Sequence, residues 1–177
     1  MFDYPSNLFI INLMLALLII SFGILSRVIV HTSNFTPVLS LALFSGIYLK
    51  GRQAVFVPLA LMAISDLIIG FYPLMYLTWG SIVLISFFGL WLKERKNFVN
   101  VLSGSLASAV FFFIVTNFGA WLTLYPHTVD GLRQCYILAI PFFRSSLVST
   151  VAYSLVFYTG YEWILKRCQG TVLARLI

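Results

Sequence analysis

Apolar residues run through this chain in stretches too long for the alternation of a half-buried strand or the single stripe of a soluble helix. Six can be drawn, at about Leu8–Ser26, Pro37–Leu49, Ala54–Gly70, Met75–Leu92, Val101–Trp121 and Pro141–Leu165, with Gly51 and Asn97 among the residues that break them. A bilayer-spanning helix needs about 20 apolar residues, and these stretches predict helices of that kind. The breaks are too short to separate two domains. The expectation is one all-α domain over residues 1–177, a polytopic bundle of six transmembrane helices. The first stretch has only Asp3 as a charge before it and no Ala-x-Ala-like site after it, so it reads as a retained helix rather than a signal peptide.

The second stretch is short. Pro37 to Leu49 rises only about 20 Å, against a hydrocarbon core of about 30 Å. Its start is marked by Thr36, a capping residue type, and Pro37, which suits the first helical position. The segment from His31 through Asn34 then has two readings. It dips below the membrane surface, where irregular backbone must be buried in protein or line a cavity, or the helix starts earlier, near Val28.

Composition excludes the soluble classes. The set AVILMFWYC makes up 61% of the 177 residues and charged residues only 9%, where a soluble domain averages about 45–50% and about 25%. Mean hydropathy is +1.01. Two cysteines, Cys135 and Cys168, are too few for a disulfide scaffold, and they fall on opposite sides of the membrane in the topology below. The charges sit between apolar runs rather than on one soluble basic face, so no nucleic-acid partner is expected.

Those charges set an orientation. Of the eleven Lys and Arg, eight (Lys50, Arg52, Lys93, Arg95, Lys96, Lys166, Arg167, Arg175) fall on one side of a six-span bundle and three (Arg27, Arg133, Arg144) on the other. Basic loops stay inside, so both termini are expected in the cytoplasm of a multi-pass protein of the bacterial inner membrane.

Chemistry collects on the outer side, which holds His31, Asn34, Tyr72, Tyr76, Trp79, Thr116, Asn117, His127, Asp130 and Arg144. Asp66 lies about one turn inside the outer end of the third helix. A carboxylate at the bilayer centre costs about 2.5–3.5 kcal/mol on insertion scales, so Asp66 needs a partner, and Arg27 and Arg144 sit at matching depth. It is either a substrate-binding or proton-linked acid, or one half of a structural ion pair. Arg144, expected in the first turn of the last helix behind Pro141, would stand against the helix dipole. Such a placement calls for a carboxylate or an anionic ligand, or for snorkelling to headgroups. Asn117 must glue helices or face a cavity. The loop from Tyr125 to Tyr136 holds His127 and Cys135 without metal-ligand spacing, so no resident metal or cofactor is expected. Cys135 and His127 are kept as a contact for the metal of a bound cofactor, or as a thiol and base in a membrane enzyme. The aromatics fit an interfacial belt, with Tyr76 and Trp79 also able to stack on a planar ligand. Small residues from Ser103 to Ala109 let the fifth helix pack closely on a neighbour, in this chain or another. There is no Walker A sequence.

Several of these segments carry a resemblance. The stretches 34–38, 41–44, 57–59, 65–70, 112–119 and 131–143, with Asn34, Ser65-Asp66, Thr116-Asn117 and Gln134-Cys135 among them, resemble a family of small six-helix bacterial membrane proteins known only as transport proteins. That family is similar to the substrate-binding S-components of energy-coupling-factor transporters and, more distantly, to solitary cobalamin transporters of the BtuM type. The resemblance implies an S-component-like fold with an outward-facing pocket for a vitamin or other trace nutrient, such as a corrinoid. In the cobalamin transporters a pocket cysteine meets the cobalt; here the stretch around Trp79 and Gly80 has none, which leaves Cys135 for that part. The Ala-x-x-x-Ala docking pattern is half present, as Asn12, Ala16 and Ile20.

The leading expectation is a transporter or substrate-capture protein. Its small-molecule ligand would lie under the His31–Asn34 segment, between the outer ends of the third, fifth and sixth helices, contacted by His31, Asn34, Asp66, Tyr76, Trp79, Asn117 and Arg144. Its other partners are the lipid bilayer and either an energising module or further copies of itself. The alternative is a non-transporting interaction subunit whose outer polar cluster is structural; an enzyme comes third.

Overall fold

The computed structural model describes residues 4–29 and 34–168. Six α-helices follow in order: α1 (Tyr4–Ile29), α2 (Val38–Tyr48), α3 (Gln53–Ile69), α4 (Met75–Leu92), α5 (Phe98–Leu124) and α6 (Val129–Cys168), with a 3₁₀ turn at Lys93–Arg95. The described residues contain no strand. Met75–Arg95, Phe98–Leu124 and Val129–Arg167 are long and apolar enough to cross a membrane. Leu13–Ile29, α2 and α3 are shorter apolar stretches.

The shortest helix is the hub. All ten residues from Val38 to Ile47 are buried, and α2 packs against each of the other five helices. A helix covered on all sides has no polar stripe, so its two serines bond to neighbours: Ser40 Oγ donates to the Thr150 carbonyl at 2.8 Å and Ser45 Oγ to the Ala54 carbonyl at 2.9 Å. Close approach to α4 depends on two glycines. A Cβ at Gly46 would lie 2.2 Å from the Ser86 carbonyl oxygen, and one at Gly89 would lie 2.4 Å from that of Leu43. The small-residue face of α5 finds its neighbour within the chain, with Gly104 against Leu92 and Leu43. Ala16 is buried in the same core.

Polar and apolar residues are turned inside out relative to a soluble bundle. Serines 40, 45, 65, 81, 86, 105, 108, 149 and 154 are buried, while Leu18, Leu67, Leu84, Phe87, Val148 and Val156 stand more than half exposed. A continuous apolar periphery of this kind suits acyl chains rather than water.

Two expectations are corrected. Pro37 flanks α2 instead of opening it, no side chain caps that end, and the Pro37 carbonyl accepts from the Leu41 amide. The last helix begins twelve residues earlier than Pro141. Thr128 supplies the start: its Oγ1 accepts from the Gly131 amide at 3.1 Å and its carbonyl from the Leu132 amide at 3.0 Å. Asp130 in the first turn suits the positive end of the dipole. What reads as the longest outer loop is therefore mostly helix, and α6 runs its 40 residues with Pro141 inside it.

Candidate functional site

Asp66 sits on the last turn of α3, where its carbonyl accepts from the Gly70 amide, and its side chain is fully buried. Two other helices reach it. Arg27, near the end of α1, brings Nη2 to 2.6 Å from Oδ1 as an ion pair. Trp79, in the second turn of α4, donates Nε1–H to Oδ2 at 2.7 Å. The other arm of Arg27 donates to Ser65 Oγ and to Met62 Sδ, the latter at 3.3 Å. Tyr72, in the connection after α3, lies beside Arg27, Asp66 and Thr78, and burial holds its phenol above the ordinary pKa. One carboxylate thus ties α1, α3 and α4, with a partner at each oxygen. Of the two arginines matched to Asp66 by depth, Arg27 is the one that pairs.

A second polar group gathers on the far side of α2. Asn34, Thr116, Asn117 and Ser146 line a recess of about 120 Å³ with aromatic walls that include Phe112, Phe113 and Phe143. Asn34 has φ of 60°, a left-handed conformation that asparagine tolerates well. Its carbonyl accepts from Ser149 Oγ at 3.4 Å. Asn117 Nδ2 donates to the Phe113 carbonyl at 2.7 Å and Thr116 Oγ1 to that of Phe112 at 2.7 Å. No described residue donates to Asn117 Oδ1. Phe113 and Phe143 meet at 4.5 Å between ring centroids, tilted by 34°.

The residues expected to form one site are therefore divided. Asp66 and Trp79 belong to the α1–α3–α4 tie, and Asn34 and Asn117 to the recess. Tyr76 is exposed and lines an apolar groove between α4 and α5 with Phe118 and Leu122. α3 packs on α1, α2 and α4, and α5 on α2, α4 and α6, so α2 and α4 stand where the joint pocket was expected. Arg144 is exposed in mid-helix and neither lines the recess nor pairs with Asp66; because α6 begins so far upstream, it does not stand at a helix N-terminus. His31 lies outside the described residues.

Cys135 and His127 hold different partners. The Cys135 thiol, 3% exposed, donates to the Asn117 carbonyl at 3.4 Å. His127 is exposed, with Nε2 2.9 Å from the Leu122 carbonyl oxygen and its ring edge-on to Trp121. Among the described residues no group of three or more His, Cys, Asp or Glu side chains is placed to hold a metal ion.

A third cluster, at the opposite end of the bundle, escaped the sequence reading. Glu162 Oε1 accepts from Tyr48 Oη and pairs with Lys96 Nζ, both at 2.8 Å. Lys96 Nζ also lies 4.7 Å from the centroid of the Tyr48 ring, and Tyr161 packs on that ring at 4.4 Å. The signal was available: Glu162 is the one acidic residue in the C-terminal half of an apolar helix.

Residues 7–172 match the model of DUF6580, described as a family of unknown function, and the chain belongs to that family. No curated protein and no solved structure matches it.

Proposed function

We propose that this family member is a six-span protein of the bacterial inner membrane that captures or transports a small nutrient from the outer side, on an S-component-like fold. The orientation follows from charge. Lys50, Arg52, Lys93, Arg95, Lys96, Lys166 and Arg167 collect at the end of the bundle where Tyr48 and Glu162 meet, and basic ends stay in the cytoplasm. Both termini are then inside, and the recess opens on the periplasmic half.

The observation that carries the ligand reading is the recess itself. Uncharged amides and hydroxyls facing aromatic rings form a surface for a neutral, flat solute with a hydrogen-bonding edge. At about 120 Å³ it is smaller than the roughly 300–1,000 Å³ of pockets for drug-sized ligands. It suits a nucleobase-sized nutrient as it stands, and a corrinoid only after the bundle parts. A thermal-shift screen of the detergent-purified protein against vitamins, corrinoids and nucleobase-like compounds tests this. A ligand at about 100 times its Kd adds about 2.7 kcal/mol of stability. No shift across the panel from a folded sample would reject the reading.

A second reading is favoured by the Asp66 group. With a partner at each oxygen it serves as a structural tie, as an interaction subunit without a ligand requires. That reading expects the silent screen together with a co-purifying partner.

A further inference from the structure

Polar residues recur at every fourth position from the middle of α6 toward its end: Ser146, Thr150, Ser154, Tyr158 and Glu162. Residues spaced by four form one inclined ridge of a helix, here about 24 Å long. The ridge follows α2. Ser146 lines the outer recess with Asn34. Thr150 is fully buried, and its carbonyl accepts from Ser40. Ser154 and Tyr158 line a small cavity of about 10 Å³ shared with Ser40 and Tyr48 of α2. Glu162 ends the ridge in its bonds to Tyr48 and Lys96.

The hydroxyls in the middle of this ridge differ from most others in the bundle. Ser81, Ser86, Ser108, Thr116 and Thr159 each donate to the carbonyl four residues back in their own helix. Among the described residues Thr150 Oγ1 and Ser154 Oγ on the ridge, like Ser145 Oγ beside it, are buried without a hydrogen-bond partner. A buried hydroxyl left unpaired is disfavoured, and the cavity beside Ser154 has room for about one water molecule.

The geometry points to the seam between α2 and α6 as a translocation path. It leads from the recess to the cytoplasmic end, with hydroxyls that water or a passing polar solute would satisfy, and the Tyr48–Glu162–Lys96 cluster latches its inner mouth. The inference rests on the transport reading and adds to it a route and a gate. Breaking the latch would let water reach Ser154 from the cytoplasmic side.

Cysteine accessibility tests this without any ligand, so a recess that binds nothing leaves the result interpretable. The chain carries Cys135→Ser, Cys168→Ser and Ser154→Cys, and a membrane-impermeant methanethiosulfonate reagent is applied to inside-out vesicles. Val156→Cys, on the lipid face, replaces Ser154→Cys in the control. The path predicts slow labelling of Ser154→Cys with the latch intact. Adding Glu162→Ala, which removes a charge-assisted pair, is expected to raise the rate about tenfold, with the control unchanged. Lys96→Met, which removes only the outer partner, reads the same way should Glu162→Ala fail to accumulate in the membrane. Labelling indifferent to the latch, or rising equally at Val156→Cys, overturns the path.

Discussion

The two sides of α2 treat polar groups in opposite ways. On the side of α1, α3 and α4, the Asp66 carboxylate is fully buried and has Arg27 at one oxygen and Trp79 at the other. On the side of α5 and α6, Asn117 lines the recess with no described residue donating to its Oδ1, and the Thr150 and Ser154 hydroxyls have no hydrogen-bond partner among the described residues. A buried charge with its partners in place resists movement, because separating them strands both in a low-dielectric interior. Neutral hydroxyls and amides are cheaper to leave open and easily satisfied by water or a ligand. Under the proposed function the contrast teaches a division of labour, in which the three-helix side with its paired charge is the support and the side with open polar groups is where a ligand would bind.

The sharpest break is expected at the tie. Asp66→Ala leaves Arg27 without its counter-charge and should destabilise the bundle by roughly 3–5 kcal/mol, the usual loss on stranding one half of a buried pair; detergent unfolding curves measure it. Trp79→Phe keeps an aromatic ring, smaller than the indole, and removes a bond to a charged acceptor, a loss of about 1.5–3 kcal/mol from that bond in the same assay. Gly89→Ala pushes a Cβ against the Leu43 carbonyl. Overpacking at such a crossing costs about 1–3 kcal/mol and should lower the melting temperature without touching either polar group. At the opposite end of the bundle, Lys96→Met removes a partly exposed ion pair, and its stability effect should stay within about 1 kcal/mol. A loss there as large as that of Asp66→Ala would erase the comparison.

Much of the architecture is legible in the sequence, and the misses share a cause. The start of α4 and the ends of α3 and α4 lie within a residue of where apolar runs meet Gly70, Pro73 and Lys93, since those breakers act locally. The start of α6 was hidden because Pro126, His127, Asp130 and Gly131 look like loop residues, while the capping contacts of Thr128 appear only in three dimensions. That error carried Arg144 into a helix terminus it does not occupy. Depth alone narrowed the partner of Asp66 to two arginines. Choosing Arg27 required knowing that α1 packs beside α3 and that α2 separates α3 from α6. Trp79 read as an interfacial or stacking ring because hydropathy says nothing of where an indole N–H points. The four-residue polar ridge of α6 was visible all along. Its spacing of four carries no hydropathy signal, because single polar residues inside an apolar helix barely change the mean.

The most direct test crosses the two sides with a ligand. A compound that raises the melting temperature of the wild-type protein is measured again with Asn117→Ala and with Asp66→Asn. The account predicts that Asn117→Ala lowers the starting stability by only about 0.5–1.5 kcal/mol yet abolishes the ligand-induced shift. Asp66→Asn should lower the starting stability far more and keep that shift. A shift that survives Asn117→Ala and vanishes with Asp66→Asn would contradict it, moving the binding site to the side described here as the fixed one.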